Sequence, residues 1–367
     1  MSRLTRLVST IALGAAAFAV TVGVDSVDMR AQIANNPYKV NYNWDKLEGR
    51  KIGVASGIRL DPDGKHLWIL DRCGANGCAE SDLDPIIQVD MDGKFVKSFG
   101  KGIMNFPHGF FIDREGFVWV TDGVADGDAR GTAGFKQGKG HQIYKFSPDG
   151  KVVMRLGEAG KPGADEKHFN GPTGVVVADN GDIWVTDGHG GAQRGPNKDN
   201  MYGSRGGNNR LVRFSKDGAF IKAWGGGIGS EGSLPLQFND PHDLQRDAEG
   251  RLYVADRGNQ RVQVLDKEGN FVTRWTQFGK PSAIAIDTKG NIYVADGMSD
   301  PHWNPGWERG IRIGDLKTGY LKAFIPDEEA TRGAGTEFIG VDDRGRIFSG
   351  ASGRPGLVVH EAYRPLW

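Results

Sequence analysis

Two histidines occupy equivalent places in a repeated pattern. His108 lies in "NFPHGFFIDREG" and His242 in "NDPHDLQRDAEG", each eight residues before a turn glycine, because 116 − 108 and 250 − 242 give the same spacing. Imidazole nitrogens that recur at one structural position can converge on a single metal ion. Two histidines and a carboxylate form a catalytic zinc set that leaves one position open, and the same ligands also suit iron.

The column eight residues before each turn glycine also contains a carboxylate. It reads Ser56, His108, Thr173, His242, Ser282 and Glu337. We therefore predict a metal site formed by its second, fourth and sixth members, His108, His242 and Glu337, with zinc as the metal and iron as the alternative. The other interpretation is that repeat ancestry alone keeps the two histidines, each hydrogen-bonded to a neighbouring loop.

A second column follows the second β-rich run of each repeat. It contains Asp71, Asp122, Asp187, Asp256, Asp296 and, breaking the pattern, Ala351. We predict that these aspartates are structural and hold loop backbone amides. Arg72 and Arg257 follow two of them, and a guanidinium binds a carboxylate through two parallel charged hydrogen bonds. They are candidates for binding a substrate carboxylate, and salt bridges to neighbouring acids are the alternative.

Six hairpin repeats must position these columns. Each repeat, such as "GPTGVVVADNGDIWVTD", is a β-rich run, a glycine turn and a second β-rich run, and most are followed by another hairpin such as "LVRFSKDGAFIKAW". Four strands per unit and six units predict an all-β fold, a six-bladed β-propeller with four-stranded blades. Alternate blades lie about 120° apart, so the candidate ligands of blades 2, 4 and 6 can converge at one face of the channel.

The N-terminal part of the chain is assigned separately from the ring. Residues 1–31 carry a basic start and an apolar run, which predicts a signal peptide, with an uncleaved membrane anchor as the alternative. Residues 32–49 include "YKVNYNW", a candidate for the outer strand of the last blade, and residues 50–367 form the propeller. We expect an exported protein, periplasmic or secreted.

The two cysteines are consistent with export, and the balanced charge argues against nucleic acid as a partner. Cys73 and Cys78 are the two cysteines, and in an exported chain we expect them to form a disulfide, with two free thiols as the alternative. The chain has 46 basic and 46 acidic side chains, so it lacks the excess of positive charge that nucleic-acid binding requires.

The repeats resemble NHL-type propeller blades. Three segments, "FPHGFFIDREGFVWVTD", "HFNGPTGVVVADNGDIWVTDG" and "FNDPHDLQRDAEGRLYVADRGNQRVQVL", resemble the catalytic core of peptidyl-α-hydroxyglycine α-amidating lyases. That family splits a carbinolamide C–N bond and releases a peptide amide and glyoxylate. The resemblance implies a zinc ion held by three histidines on alternate blades, two arginines and a tyrosine in the site, and a structural calcium ion in the channel.

Residue by residue, the resemblance assigns most of the zinc site. Two of the zinc histidines fall on His108 and His242, and the two arginines fall on Arg72 and Arg257. The third zinc histidine falls on Glu337, which is a departure from the family pattern.

Two further positions also depart from the family. The catalytic tyrosine falls on His189, and Tyr202 in the same loop is a second candidate for that role. The calcium ion would bind the backbone carbonyls of Ile58 and Phe110. The acidic calcium ligand falls on Phe338, which argues against calcium.

These observations predict a metal-dependent lyase-like enzyme that cleaves a carbinolamide-type C–N bond at the top of the channel. His189 or Tyr202 would act as the general base, and Arg72 and Arg257 would hold the carboxylate of a small substrate or peptide. We expect a monomer. Two other functions remain open: a non-catalytic NHL propeller that binds a protein or glycan, and a calcium-dependent lactonase or related hydrolase.

Overall fold

The hairpin turns depend on an aspartate and a glycine. In the turn of the second repeat, Asp113 Oδ1 accepts hydrogen bonds from the backbone amides of Glu115 and Phe117, at 3.1 and 2.9 Å. Gly116 has a φ of 81°, in the left-handed region that glycine enters without steric cost. Together they reverse the chain within a few residues and place two β-rich runs side by side as antiparallel strands.

The structure is a computed structural model that describes residues 36–123, 138–189, 208–226, 232–302, 304–327 and 335–363. Its strands are β1 (Tyr38–Asn41), β2 (Ala55–Leu60), β3 (His66–Asp71), β4 (Ile86–Asp90), β5 (Phe95–Phe99), β6 (Pro107–Ile112), β7 (Val118–Asp122), β8 (Gln142–Phe146), β9 (Val152–Leu156), β10 (Pro172–Val177), β11 (Ile183–Asp187), β12 (Arg210–Phe214), β13 (Phe220–Gly225), β14 (Pro241–Arg246), β15 (Leu252–Asp256), β16 (Arg261–Leu265), β17 (Phe271–Trp275), β18 (Ala283–Ile286), β19 (Asn291–Asp296), β20 (Gly310–Asp315), β21 (Leu321–Pro326), β22 (Phe338–Val341), β23 (Ile347–Ala351) and β24 (Arg354–Ala362). A short 3-10 helix spans Arg257–Asn259. The predicted signal peptide and Tyr202 lie outside the described residues.

Across the described ranges these strands form six antiparallel sheets of four strands each. Five sheets are consecutive along the chain, from β2-β3-β4-β5 to β18-β19-β20-β21. The first strands of neighbouring sheets contact one another, as β2 does with β6 and β22, so these strands line a central channel. The predicted fold class, an all-β six-bladed propeller with four-stranded blades, is confirmed.

The sixth blade combines both ends of the described chain. Its strand order is β22-β23-β24-β1, with β1 outermost. In the antiparallel β1–β24 pair, Tyr38 lies opposite Ala362 and Asn41 opposite Val359. The strand therefore comes from the N-terminal segment that the sequence offers for this role, and the ring is joined by hydrogen bonds between its first and last strands.

One aromatic column supplies much of the packing between blades. The second strand of each blade places a large aromatic side chain at the same position, and all six are buried: Trp68, Trp119, Trp184, Tyr253, Tyr293 and Phe348. Burying such a side chain stabilises the fold by about 2–3 kcal/mol. Several polar tips bond to the turn aspartate of the same hairpin, as Trp119 Nε1 does to Asp113 Oδ2 at 2.9 Å. The column therefore couples inter-blade packing to turn geometry.

Two further features of the structure bear on export. A disulfide joins Cys73 and Cys78, as expected from the sequence. Within the described ranges, no helix has the length and hydrophobicity needed to cross a membrane.

Candidate metal centre

His108 and His242 begin the inner strands of blades 2 and 4 and meet in the channel. Their ring centroids are 4.6 Å apart, and both side chains are buried. His108 Nδ1 is 2.9 Å from the carbonyl oxygen of Thr173, and His242 Nδ1 is 2.7 Å from that of Ser282. A carbonyl only accepts, so Nδ1 carries the proton in both rings. In the neutral imidazole, Nε2 therefore presents a lone pair.

These two Nε2 atoms have the properties of metal ligands. Both are buried, and neither makes a hydrogen bond to any described residue. Buried polar nitrogens rarely lack a partner, and each such group needs an explanation. Burial, with the charges of His242, His189 and Arg72, holds the pKa of His108 well below its ordinary value. His108 therefore stays neutral, which is the form that binds a metal ion.

A third histidine joins them from blade 3. His189 follows β11 by two residues, and its ring centroid lies 5.0 Å from that of His108 and 5.1 Å from that of His242. One ring nitrogen from each of the three lies within 4.8 Å of the others, which is a spacing that can hold a metal ion. The three histidines can thus bind a metal, and three nitrogen ligands with a remaining open position describe a catalytic zinc site.

Glu337 lies beside this cluster. Its Oε1 is 3.2 Å from His242 Nε2 and 3.6 Å from Arg257 Nη1, and its Oε2 accepts a hydrogen bond from Ser352 Oγ. Burial raises the pKa of Glu337, but nearby positive charge, including that of Arg257 and Arg72, outweighs it and holds that pKa far below the usual range. Since His242 donates through Nδ1, its Nε2 lone pair faces an ionised carboxylate. A cation between the two would relieve their repulsion.

The structure thus rearranges the predicted ligand set. His108 and His242 come together as expected, while Glu337 is not among the three side chains that share the 4.8 Å spacing. His189, predicted as a general base, is among them instead. The ligand role of Glu337 and the base role of Tyr202 stay predictions, the latter on a residue outside the described chain.

The two arginines have different surroundings. Arg72 donates from Nε to the carbonyl of Pro107 at 3.1 Å and from Nη1 to Asn76 Oδ1 at 2.7 Å. Its guanidinium carbon lies 3.6 Å from the centroid of the Phe106 ring. Arg257 contacts Asp240 Oδ2 with both Nε and Nη2, each at 2.8 Å. Arg257 therefore makes the salt bridge to a loop acid that the sequence analysis left open.

The channel residues below the histidines do not fit a calcium ion. The carbonyl of Ile58, one implied ligand, accepts a hydrogen bond from Arg59 Nη1 at 2.8 Å, and the same nitrogen donates to the carbonyl of Ile339 at 3.0 Å. Phe338 is buried and offers no oxygen ligand. Arg59 and Asp243 line the same small cavity as His108 and His242. A guanidinium thus stands where the resemblance implies a metal cation.

The second-column aspartates hold loop backbone, as the sequence suggested. Asp122 accepts from the amide of Phe106 at 2.7 Å, and Asp187 accepts from that of Asn170 at 2.8 Å. These loops precede the inner strands, so the aspartates help to place the first-column side chains.

Sequence reasoning missed two features of this site. Asp240, immediately before Pro241 and His242, was not singled out, although its Oδ1 lies 3.3 Å from His189 Nδ1. His189 was recognised as a rim residue but not as a ligand candidate. The available signal was the position of His189 two residues after Asp187, which belongs to the repeated aspartate column. That position places His189 on the same face as the first column.

Comparisons with known proteins agree with the repeat pattern. The NHL repeat family model matches residues 169–192 and 238–265. Peptidyl-glycine alpha-amidating monooxygenase A of Xenopus laevis is 30% identical over 321 residues, covering 79% of this chain and 31% of that protein. A probable peptidyl-alpha-hydroxyglycine alpha-amidating lyase of Caenorhabditis elegans is 30% identical over 254 residues, covering 65% of this chain and 63% of that protein. The chain thus spans about a third of the length of the Xenopus relative.

A solved structure supports the architecture. A gluconolactonase from Xanthomonas campestris superposes with a TM-score of 0.58 at 16% identity, covering 92% of this chain and 93% of that one. At this identity the similarity concerns the fold alone. Taken with the six blades and the repeat match, these similarities identify the chain as an NHL-repeat β-propeller that resembles the peptidyl-α-hydroxyglycine α-amidating lyases.

Proposed function

We propose that this protein is a metal-dependent lyase that cleaves the C–N bond of a carbinolamide. The observation that carries the proposal is the pair of buried Nε2 atoms on His108 and His242, with their Nδ1 protons committed to backbone carbonyls. A merely structural histidine pair does not account for two buried nitrogen acceptors without a hydrogen-bond donor, one of them 3.2 Å from the Glu337 carboxylate. His189 supplies a third imidazole within the same 4.8 Å spacing.

The donor set favours zinc. Three imidazoles suit zinc or iron, whereas calcium takes six to eight oxygen ligands. A zinc ion bound there would supply a Lewis acid for the substrate hydroxyl and lower its pKa. The calcium-dependent lactonase alternative finds less support, because the cluster offers three imidazoles rather than oxygen ligands, and Arg59 donates to the Ile58 carbonyl that calcium would need.

The chain's own residues bind and orient the substrate. For an N-acyl-α-hydroxyglycine, the C–N bond breaks, the hydroxyl-bearing carbon becomes the aldehyde of glyoxylate, and the hydroxyl proton ends on the amide nitrogen. Arg72, stacked on Phe106 at the rim, is placed to hold the carboxylate of such a substrate. Glu337 stays ionised and so adds negative charge beside the metal centre, which tempers its electrophilicity. Tyr202 remains the candidate for the proton transfer.

Export is part of the proposal. The Cys73–Cys78 disulfide suits an oxidising compartment, and the predicted signal peptide would deliver the chain there. We therefore place the activity in the periplasm or outside the cell.

Elemental analysis tests the metal requirement first. Protein purified without chelators or a histidine tag is expected to contain about one zinc or iron per chain. The His108→Ala/His242→Ala variant, folded by circular dichroism, is expected to contain none. The loaded protein should then release glyoxylate from an N-acyl-α-hydroxyglycine. A metal-free wild-type protein would overturn the lyase proposal and favour a non-catalytic binding propeller, whereas a metal-loaded protein without glyoxylate release would keep the metal centre and overturn the proposed reaction.

A further inference from the structure

A chain of three buried side chains runs outward from the histidine cluster. His189 Nδ1 lies 3.3 Å from Asp240 Oδ1, and Asp240 Oδ2 accepts from both Nε and Nη2 of Arg257 at 2.8 Å. The exposed fractions of the three residues are 7%, 4% and 2%. The chain links blade 3, where His189 lies, to blade 4, which supplies Asp240 and Arg257.

The backbone at Asp240 and at Asn209 has a left-handed conformation. Asp240 has a φ of 51° and Asn209 a φ of 47°, both in the left-handed region that few non-glycine residues adopt. The Asp240 amide donates to Asn209 Oδ1 at 2.9 Å, so the two support one another. Conformations of this kind persist where the surroundings require them. Here they aim the Asp240 carboxylate at His189.

We propose that Arg257 is a positioning residue that acts on the metal centre through Asp240 and His189, and that His189 is the third ligand. The proposal rests on the metal-dependent function above. A ligand histidine that binds through one nitrogen needs an acceptor for the proton on the other, and a carboxylate there fixes the ring and makes it a stronger ligand. Asp240 is that acceptor, and Arg257 fixes Asp240.

The arrangement differs from that of the other two histidines. His108 and His242 donate to neutral backbone carbonyls, which a strand supplies automatically. His189 follows the end of its strand, so its orientation depends on side chains. In the lyases that this chain resembles, the corresponding position is a tyrosine and the third histidine falls on the position of Glu337. The geometry thus places the third imidazole on blade 3, whereas the resemblance implies a ligand on blade 6.

The proposal reassigns Arg257. Two of its nitrogens contact Asp240, and the third lies 3.6 Å from Glu337, so two carboxylates already balance its charge. A substrate carboxylate would have to compete with both. Substrate binding then falls to Arg72, and the two arginines, equivalent in the repeat alignment, have separate tasks.

Zinc-binding affinity distinguishes the positioning role of Arg257 from the substrate-binding role of Arg72. Zinc dissociation constants would be measured by competition with a chromophoric chelator, without substrate, for Arg257→Gln and the isosteric Asp240→Asn. Both are expected to bind zinc about 10- to 100-fold more weakly than wild type. Arg72→Gln is the matched control and is expected to keep the wild-type affinity while raising KM. Wild-type affinity in both Arg257→Gln and Asp240→Asn would overturn the relay, whatever the activity.

A ligand exchange tests His189 itself, with the visible spectrum of the Co²⁺-loaded protein as the readout. His189→Tyr is expected to lose tight Co²⁺ binding, and His189→Tyr/Glu337→His is expected to regain it, since the double variant restores the set found in the resembled family. A His189→Tyr protein with the wild-type spectrum would overturn the assignment. Bound metal without glyoxylate release would overturn the proposed reaction and leave the relay intact.

Discussion

At the scale of single residues, two backbone carbonyls decide the chemistry of the site. Thr173 and Ser282 accept the Nδ1 protons of His108 and His242, which turns both Nε2 lone pairs into the channel. Repeat spacing in the sequence was sufficient to predict that these two histidines meet. Repeat spacing could not decide between His189 and Glu337 as the third ligand. His189 lies beyond the end of its strand, so the position of its ring depends on the loop and not on the repeat.

Replacing Glu337 by Gln tests the charge beside the cluster. The substitution keeps the size of the side chain and removes the negative charge that lies 3.2 Å from His242 Nε2. Losing an anion next to a bound cation is expected to weaken zinc binding by about 10-fold, the lower end of the range for groups that support metal ligands. Chelator competition measures this, and tighter zinc binding in the variant would contradict the assigned role.

At the scale of the elements, paired charges join the second and third strands within a blade. The strand-2 aspartates of blades 3 and 4 lie opposite strand-3 arginines, Asp187 opposite Arg210 and Asp256 opposite Arg261. Arg261 Nε donates to Asp256 Oδ2 at 2.7 Å, and the pair is buried. The sequence predicted the aspartates as structural from their repetition. It did not predict their arginine partners, which follow loops of very different length.

Breaking one of these pairs should be costly. Asp256→Ala leaves the Arg261 guanidinium buried without its carboxylate and is expected to lower the free energy of unfolding by about 3–5 kcal/mol. Asp217→Ala removes the exposed partner of Lys216 and is expected to cost less than about 1 kcal/mol. Urea denaturation of both variants compares them directly. Equal losses of unfolding free energy in the two variants would show that the buried pair stabilises the fold no more than the exposed pair.

At the scale of the whole molecule, the ring of blades could be predicted from the sequence, but the charged side chains in its channel could not. Six turn-aligned repeats were enough to predict the propeller, since each blade buries its faces only against its neighbours. The guanidinium of Arg59 in the channel was not predicted, because a repeat alignment treats this residue as an ordinary strand position.

Arg59 leads to a prediction about divalent cations. Because its guanidinium donates to Ile58 and Ile339 across two blades, the ring is expected to need no calcium. Millimolar calcium and a calcium-selective chelator should both leave the wild-type Tm unchanged. Arg59→Met, which leaves Asp243 in the channel without its nearby guanidinium, should lower the free energy of unfolding by about 3–5 kcal/mol. A wild-type Tm that rises with calcium would contradict this account.

Acid should destabilise the fold through buried histidines. Burial lowers the pKa of His141 and of His360 from 6.5 to about 4. The folded state holds both rings neutral, so their stabilising contribution is present above pH 6.5 and is lost as the pH falls towards 4. Burial raises the pKa of Asp122 from 3.8 to about 6, so its contribution is instead lost as the pH rises through that window. Burial also raises the pKa values of Asp71, Asp187, Asp243 and Asp256, so the slope for the whole protein sums opposing groups and a single-residue variant is needed to separate them.

His360→Gln isolates one of these groups. Urea denaturation at several pH values across roughly two pH units, from about 4.5 to about 6.5, gives the free energy of unfolding as a function of pH. The slope of that function should be smaller in the variant than in wild type by up to about 1.4 kcal/mol per pH unit. An unchanged slope would mean that His360 takes up its proton in the folded state, contrary to its burial.

The β1–β24 pair also sets the order in which the chain can fold. Tyr38 lies opposite Ala362, a separation of 324 residues, since 362 − 38 = 324. Such a contact carries a high loop-closure entropy and belongs to the slow class of folding events. During synthesis β1 is made first and has no partner until β24 emerges more than 300 residues later. Ring closure is therefore a late step, and open rings with an exposed β24 edge are the species most prone to exchange strands between copies of the chain.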